Sequence, residues 1–118
     1  MYDVILVAAL VLGLAATSAG HAAGGRLVIA ENGRSEYTIV VAEDASPSTK
    51  HGAAELRTFL RQMTGADLPV IGEREPVGGH EILVGDSAHL GRLGVEIDYS
   101  ALGDEGYVLR TVGPHLVI

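Results

Sequence analysis

His51 and Glu55 stand one helical turn apart inside residues 46–69, SPSTKHGAAELRTFLRQMTGADLP. On a helix they share a face, and a histidine beside a carboxylate is a fragment of a metal-binding set. A zinc-protease helix sets two histidines around its glutamate. No second histidine falls in this segment, so the two read as a solvent-exposed polar pair. Gly85-Asp86-Ser87-Ala88-His89 places a serine between a strand and a helical turn, where a nucleophile elbow would be. The elbow needs glycine two residues to either side of its serine, and His89 takes one of those places. The stretch therefore reads as a strand exit, a helix cap at Asp86 or Ser87, and a surface His89. Gly78-Gly79 lacks the lysine and hydroxyl residue of a phosphate loop. Gly103-Asp104-Glu105-Gly106 holds two acids, but glycoside hydrolysis needs carboxyl groups roughly 5–10 Å apart across one bond, and neighbours on a loop do not define that spacing. It reads as a turn leading into the strand of Tyr107. Glu43-Asp44 precedes the helix, where negative charge is favourable. No residue is assigned a catalytic, cofactor-binding or metal-ligating role, and no cofactor is expected.

Bulk composition narrows the classes further. The chain has 118 residues, a formal net charge of -7 and no cysteine. The length accommodates one domain. Disulfide staples, thiolate nucleophiles and sulfur metal sites are excluded. Its eight basic residues are scattered, without the stripe that phosphate backbones require, so no nucleic-acid partner is expected. One phenylalanine, four tyrosines and no tryptophan leave little for stacking on bases or sugars. Residues 4–14 are almost entirely apolar and mostly small residues follow to Gly25, the order of a secretory signal. Cleavage after Ala19 or Ala22 fits the small residue two places earlier. The start departs from the pattern, with Asp3 and no basic residue. The apolar run is short of the ~20 residues of a spanning helix, so no stable membrane span is expected. Residues 1–23 are read as a signal peptide, residues 24–118 as one domain, and the product as exported to a periplasmic or extracellular space.

The elements that must position these residues follow from local pattern. Residues 26–30, RLVIA, predict a first strand, and Asn32-Gly33 a hairpin turn. EYTIVV, residues 36–41, predicts a strand covered on both faces. Ser46 caps a helix with Pro47 in its first turn, and the helix runs to about Thr64. Ala53, Leu56, Leu60 and Met63 form its apolar stripe, widened by Ala54 and Phe59. Gly65 closes it in a left-handed conformation. Residues 67–71 restart the chain as an extended segment, where Pro69 points to a sheet edge. EILVG (81–85), YVLRTVG (107–113) and the final LVI (116–118) predict further strands, with a short helical turn from Asp86 or Ser87 to Leu93. Ile97 and Tyr99 are expected anchors of an irregular stretch. The order predicts an α/β two-layer sandwich, a mixed sheet with helices on one face, truncated at its C-terminal end. Its other face is expected to meet solvent or a partner domain.

These blocks also resemble the N-terminal domain of alpha-glucuronidases and related exported bacterial proteins. The likeness rests on Ala53-Ala54-Glu55-Leu56, Thr64-Gly65-Ala66 with Leu68-Pro69, ILVGDS at 82–87, and LGDEGYVLRTVGPHLVI at 102–118. Thr49 stands where many relatives carry Glu. The resemblance implies a domain similar to the second domain of beta-hexosaminidases, non-catalytic, preceding a (β/α)8 barrel that carries the acids and binds the glycan. It implies an incomplete accessory domain of a secreted glycoside hydrolase acting in carbohydrate degradation. The partner it implies is a downstream catalytic domain in the same polypeptide. A free-standing carbohydrate or cell-surface binding module, with a glycan as partner, is the alternative. On the first reading the parent is the hydrolase, and this segment is not itself the catalyst.

Overall fold

The computed structural model describes residues 26–118, so the expected signal peptide lies outside the described residues. Five short strands form one mixed sheet: β1 (Thr38–Val41), β2 (Val70–Gly72), β3 (Glu81–Leu83), β4 (Arg110–Val112) and β5 (His115–Val117). Their order is β2-β1-β3-β5-β4. The first four run parallel, with Ile39 opposite both Val70 and Ile82, and Ile82 opposite Leu116. β4 pairs antiparallel on β5 through a turn at Gly113-Pro114, with Thr111 opposite Leu116. β2 is an edge strand, which explains why Pro69 is tolerated at its entrance: its carbonyl accepts from the Ile39 N–H, and no donor is required of it.

The one long helix, α1 (Pro47–Thr64), joins β1 to β2. Its start follows the cap chemistry of the sequence. The Ser46 hydroxyl accepts from the Thr49 N–H at 3.1 Å, Pro47 occupies the first turn, and Gly65 ends the helix at φ 77° with its N–H on the Arg61 carbonyl. Ser46→Ala is expected to cost about 1 kcal/mol by urea denaturation, as cap losses do. Ser48→Ala on the same turn should stay within about 0.5 kcal/mol of the parent.

α1 packs across β1 and β2. The cluster beneath it contains Tyr37, Ile39, Ala53, Ala66, Leu68 and Ile82, with half-buried Leu56, Leu60 and Leu116 against it. Fully burying one large apolar side chain contributes about 1.5–3 kcal/mol. Met63 and Phe59 depart from expectation, being 73% and 52% exposed. The helical period gives the reason. At about 100° per residue, Thr64 continues the line of Ala53 and Leu60, while Met63 lies about 80° and Phe59 about 120° round from Ala53. The buried stripe is narrow because α1 faces only half of the sheet.

Side chains alternate across a strand, so Val40, Leu83 and Val117 point to the opposite face. That face is not left open. They are buried with Leu90 and Val95, and with half-buried Leu93 and Ile97. Cover comes from a single short helix, α2 (Ala88–Arg92), and the loop after it. The architecture is thus a two-layer α/β sandwich, a mixed sheet with its principal helix on one face and a thin lid on the other.

Three expected elements differ. Residues 26–30 form no strand, since both edges of β1 are taken by β2 and β3; the Asn32-Gly33 turn survives as an isolated Glu31–Arg34 bridge with both residues at positive φ. The strand expected over 107–113 shrinks to β4, and Tyr107 is 83% exposed. Tyr99 starts a 3-10 turn, Tyr99–Ala101, capped by Asp98, and is half-exposed rather than an anchor.

Candidate functional site

The chemistry-bearing groups that the fold brings together are Glu81, His89 and His115. Glu81 and His115 open β3 and β5, in phase with Leu83 and Val117, so both face the α2 side of the sheet. His89 comes down onto them from α2. Glu81 and His89 are 0% exposed and His115 is 7% exposed.

Every bond in this cluster is internal. His89 Nδ1 lies 3.0 Å from each carboxylate oxygen of Glu81. Its Nε2 faces the carbonyls of Glu73 and Glu75 at 3.0 and 2.7 Å. Carbonyls only accept, so Nε2 carries a proton. Burial works against a charge on the ring, but the Glu81 carboxylate and the two carbonyls outweigh it and raise the His89 pKa above the usual imidazole value. Glu81 Oε1 also accepts from the Gly78 N–H at 2.8 Å. His115 Nδ1 accepts from the Glu81 N–H at 3.2 Å, which fixes its other nitrogen as the protonated one. Burial pushes its pKa down, and the neighbouring His80 and His89 add to this against the pull of Glu81.

A histidine oriented by a buried carboxylate is two-thirds of a catalytic triad. In a triad the far nitrogen serves the nucleophile. Here that nitrogen is held by the chain crossing at residues 73–75, and Ser87 makes no bond to it. The Ser87 hydroxyl is buried without a partner, and it gives α2 no side-chain cap. The N-terminus of α2 is met instead by the Glu73 carboxylate, which accepts from the Ala88 N–H. The expected surface position of His89 is therefore corrected: it is the most enclosed histidine of the described residues. Glu81 and His115 were not singled out by spacing. The signal available was phase, a polar residue at the inward position of an otherwise apolar strand.

The other candidates stay apart. His51 and Glu55 approach to 3.9 Å in solvent, with side chains 76% and 52% exposed. Asp104 and Glu105 lie exposed in the loop before β4, and Glu43 and Asp44 are exposed before α1. Glu43 holds the turn after β2, accepting from the Arg74 N–H, while Lys50 Nζ bonds the Glu43 carbonyl at 2.6 Å. Among the described residues no group of three or more His, Asp or Glu side chains could hold a metal ion.

Two open clefts mark the surface. One, of about 660 Å³, lies between residues 26–31 and Arg34, Glu36, Tyr37, His80 and Pro114. Its floor is fixed by the Tyr37 hydroxyl, which donates to the Pro114 carbonyl at 2.7 Å. The second, of about 740 Å³, runs along α1 past Lys50, Arg57, Arg61 and Asp67. Arg57 is engaged there by Asp67 through two bonds of 2.7 and 3.0 Å. No helix among the described residues is long and apolar enough to cross a membrane.

Compared with protein-family models, curated proteins and solved structures, the chain shows no match to any of them.

Proposed function

We propose that residues 26–118 are a non-catalytic accessory domain of an exported glycoside hydrolase, buttressing a catalytic domain elsewhere in the same polypeptide. One observation carries the non-catalytic part: the buried His89 has both ring nitrogens engaged inside the domain, so its buried acid–base cluster holds the fold and faces no cleft. The glycan context rests on the resemblance of the helix and strand blocks to alpha-glucuronidase N-terminal domains.

The fold adds a surface suited to a neighbouring domain. α1 leaves the β5–β4 half of its own face uncovered, and Leu109, just ahead of β4, is 65% exposed. A free-standing glycan-binding module fits less well. Its aromatics should line one groove, yet exposed Phe59, Tyr99 and Tyr107 sit on three separate elements, and neither cleft described above includes them.

The purified chain is expected to hydrolyse no aryl glycoside. Turnover that disappears in Glu105→Gln would place catalysis in this domain and overturn the reading. The same polypeptide is expected to carry a separate domain with paired carboxylates. Absence of such a domain from the full coding sequence, together with retention of the chain on a glycan array, would favour the binding module.

A further inference from the structure

We propose that Glu81, His89 and His115 form a two-sided pH latch: a protonated His89 holds the 73–80 crossing and α2 to the Glu81 carboxylate, and an uncharged His115 holds the start of β3, which carries that carboxylate, to β5. With Glu81 ionised, the hydrogen-bond geometry sets these opposite requirements. Each nitrogen of His89 faces an acceptor: two carboxylate oxygens on one side, two carbonyls on the other. His115 Nδ1 faces a donor, the Glu81 N–H. Residue 81 thus meets both rings, its carboxylate facing a histidine that must be doubly protonated and its N–H facing one whose Nδ1 must stay bare.

What the latch holds follows from its partners. The carbonyls of Glu73 and Glu75 and the N–H of Gly78 belong to the connection from β2 to β3, and His89 belongs to α2. Leu90 of α2 lies over Val40, Leu83 and Val117, and the connection is tied to α2 through the His89 bonds. Arg92, also on α2, reaches the same two carbonyls at 3.3 and 3.5 Å and supports the closed arrangement. His80, beside Glu81 in sequence, lies 3.9 Å from exposed Glu36 and contributes a weak positive field at His115. The Glu73 carboxylate is bound at Ala88, and Glu75 is exposed.

The signs oppose each other. His115 has a folded pKa below that of an unfolded imidazole, about 6.5. Its contribution is present above that value and is lost as pH falls through the folded one. His89 has a raised folded pKa, so its contribution is present below about 6.5 and is lost as pH rises through the folded value. Stability should peak near neutrality. The lowered carboxylates Glu43, Asp67 and Asp98 lose their contributions progressively below about pH 5, which leaves the span between about 6.5 and 5 to His115 among the shifted groups.

The test is a series of urea midpoints from pH 4.5 to 9 on the full chain and on His115→Asn, whose amide oxygen can accept the Glu81 N–H without titrating. The parent's midpoint should fall on both sides of neutrality. In the variant the acid-side fall down to about pH 5 should vanish and the alkaline side remain. An unchanged acid side overturns the latch. Imidazole nitrogen spectra of the unmutated chain decide the matter independently, should the variant not fold. At pH 7 His89 should show two protonated nitrogens and His115 a bare Nδ1; a doubly protonated His115, or a singly protonated His89, overturns the proposal.

Discussion

Glu81→Ala is expected to destabilise the domain by about 3–5 kcal/mol, a large part of the roughly 5–15 kcal/mol that holds a small domain together. The size of the effect comes from what the substitution leaves behind. His89 is fully enclosed, and without the carboxylate its Nδ1 faces no acceptor while its Nε2 remains fixed between two carbonyls. The Gly78 N–H loses its partner as well. Buried polar groups left unpaired cost about 1–3 kcal/mol each, and charged ones more. His89→Leu leaves the converse problem, a buried carboxylate with only an N–H for company. The double variant Glu81→Leu/His89→Leu removes both charges together and should recover much of the loss, because two charges taken out of water gain little net stability from each other. A double-mutant cycle from chemical denaturation measures this directly. A coupling below about 0.5 kcal/mol would mean that the pair is solvated and that its enclosure has been misread.

That prediction rests on a part of the molecule the sequence showed poorly, and the contrast with α1 is instructive. The helix could be located because its ends are local: Ser46, Pro47 and Gly65 act within four residues of themselves, and the capping bond and left-handed closure are present in the fold. β1, β3 and β5 were legible as short apolar runs. Residues 26–30 were equally apolar in pattern, but β1, the strand their turn leads back to, is paired on both edges, and edge availability is a property of the whole sheet. His89 escaped for the same kind of reason. Ala88 and Gly91 on its turn are exposed, Leu90 is the apolar residue there, and the groups that enclose His89, Glu81 and the crossing at residues 73–75, come from elsewhere in the chain. Pairing of Glu81 with His89 depends on a connection whose path no local pattern encodes. The polar starts of β3 and β5 were visible, but phase alone does not say that a third residue will descend between them.

Ile39→Ala should be the most damaging single truncation on the α1 face, at about 2–5 kcal/mol. Ile39 has no exposed surface and stands at the centre of the parallel sheet, flanked by Val70 on one side and Ile82 on the other. Ala53, Leu56 and Leu60 belong to the cluster it anchors. A cavity there cannot be refilled from β1, whose neighbours are fixed by backbone pairing on both edges. The milder Ile39→Val should cost about 0.5–1.5 kcal/mol. Met63→Ala and Phe59→Ala should each stay within about 0.5 kcal/mol, since those side chains are mostly in water. Urea denaturation of the four variants ranks them, and the ranking tests how α1 is rotated about its axis. If Met63→Ala cost as much as Ile39→Ala, the helix would have to be turned by roughly 80° to bring Met63 inward, which would take Leu60 off the sheet. The narrow stripe would then be wrong, and with it the uncovered half of the sheet that the accessory-domain reading assigns to a neighbour.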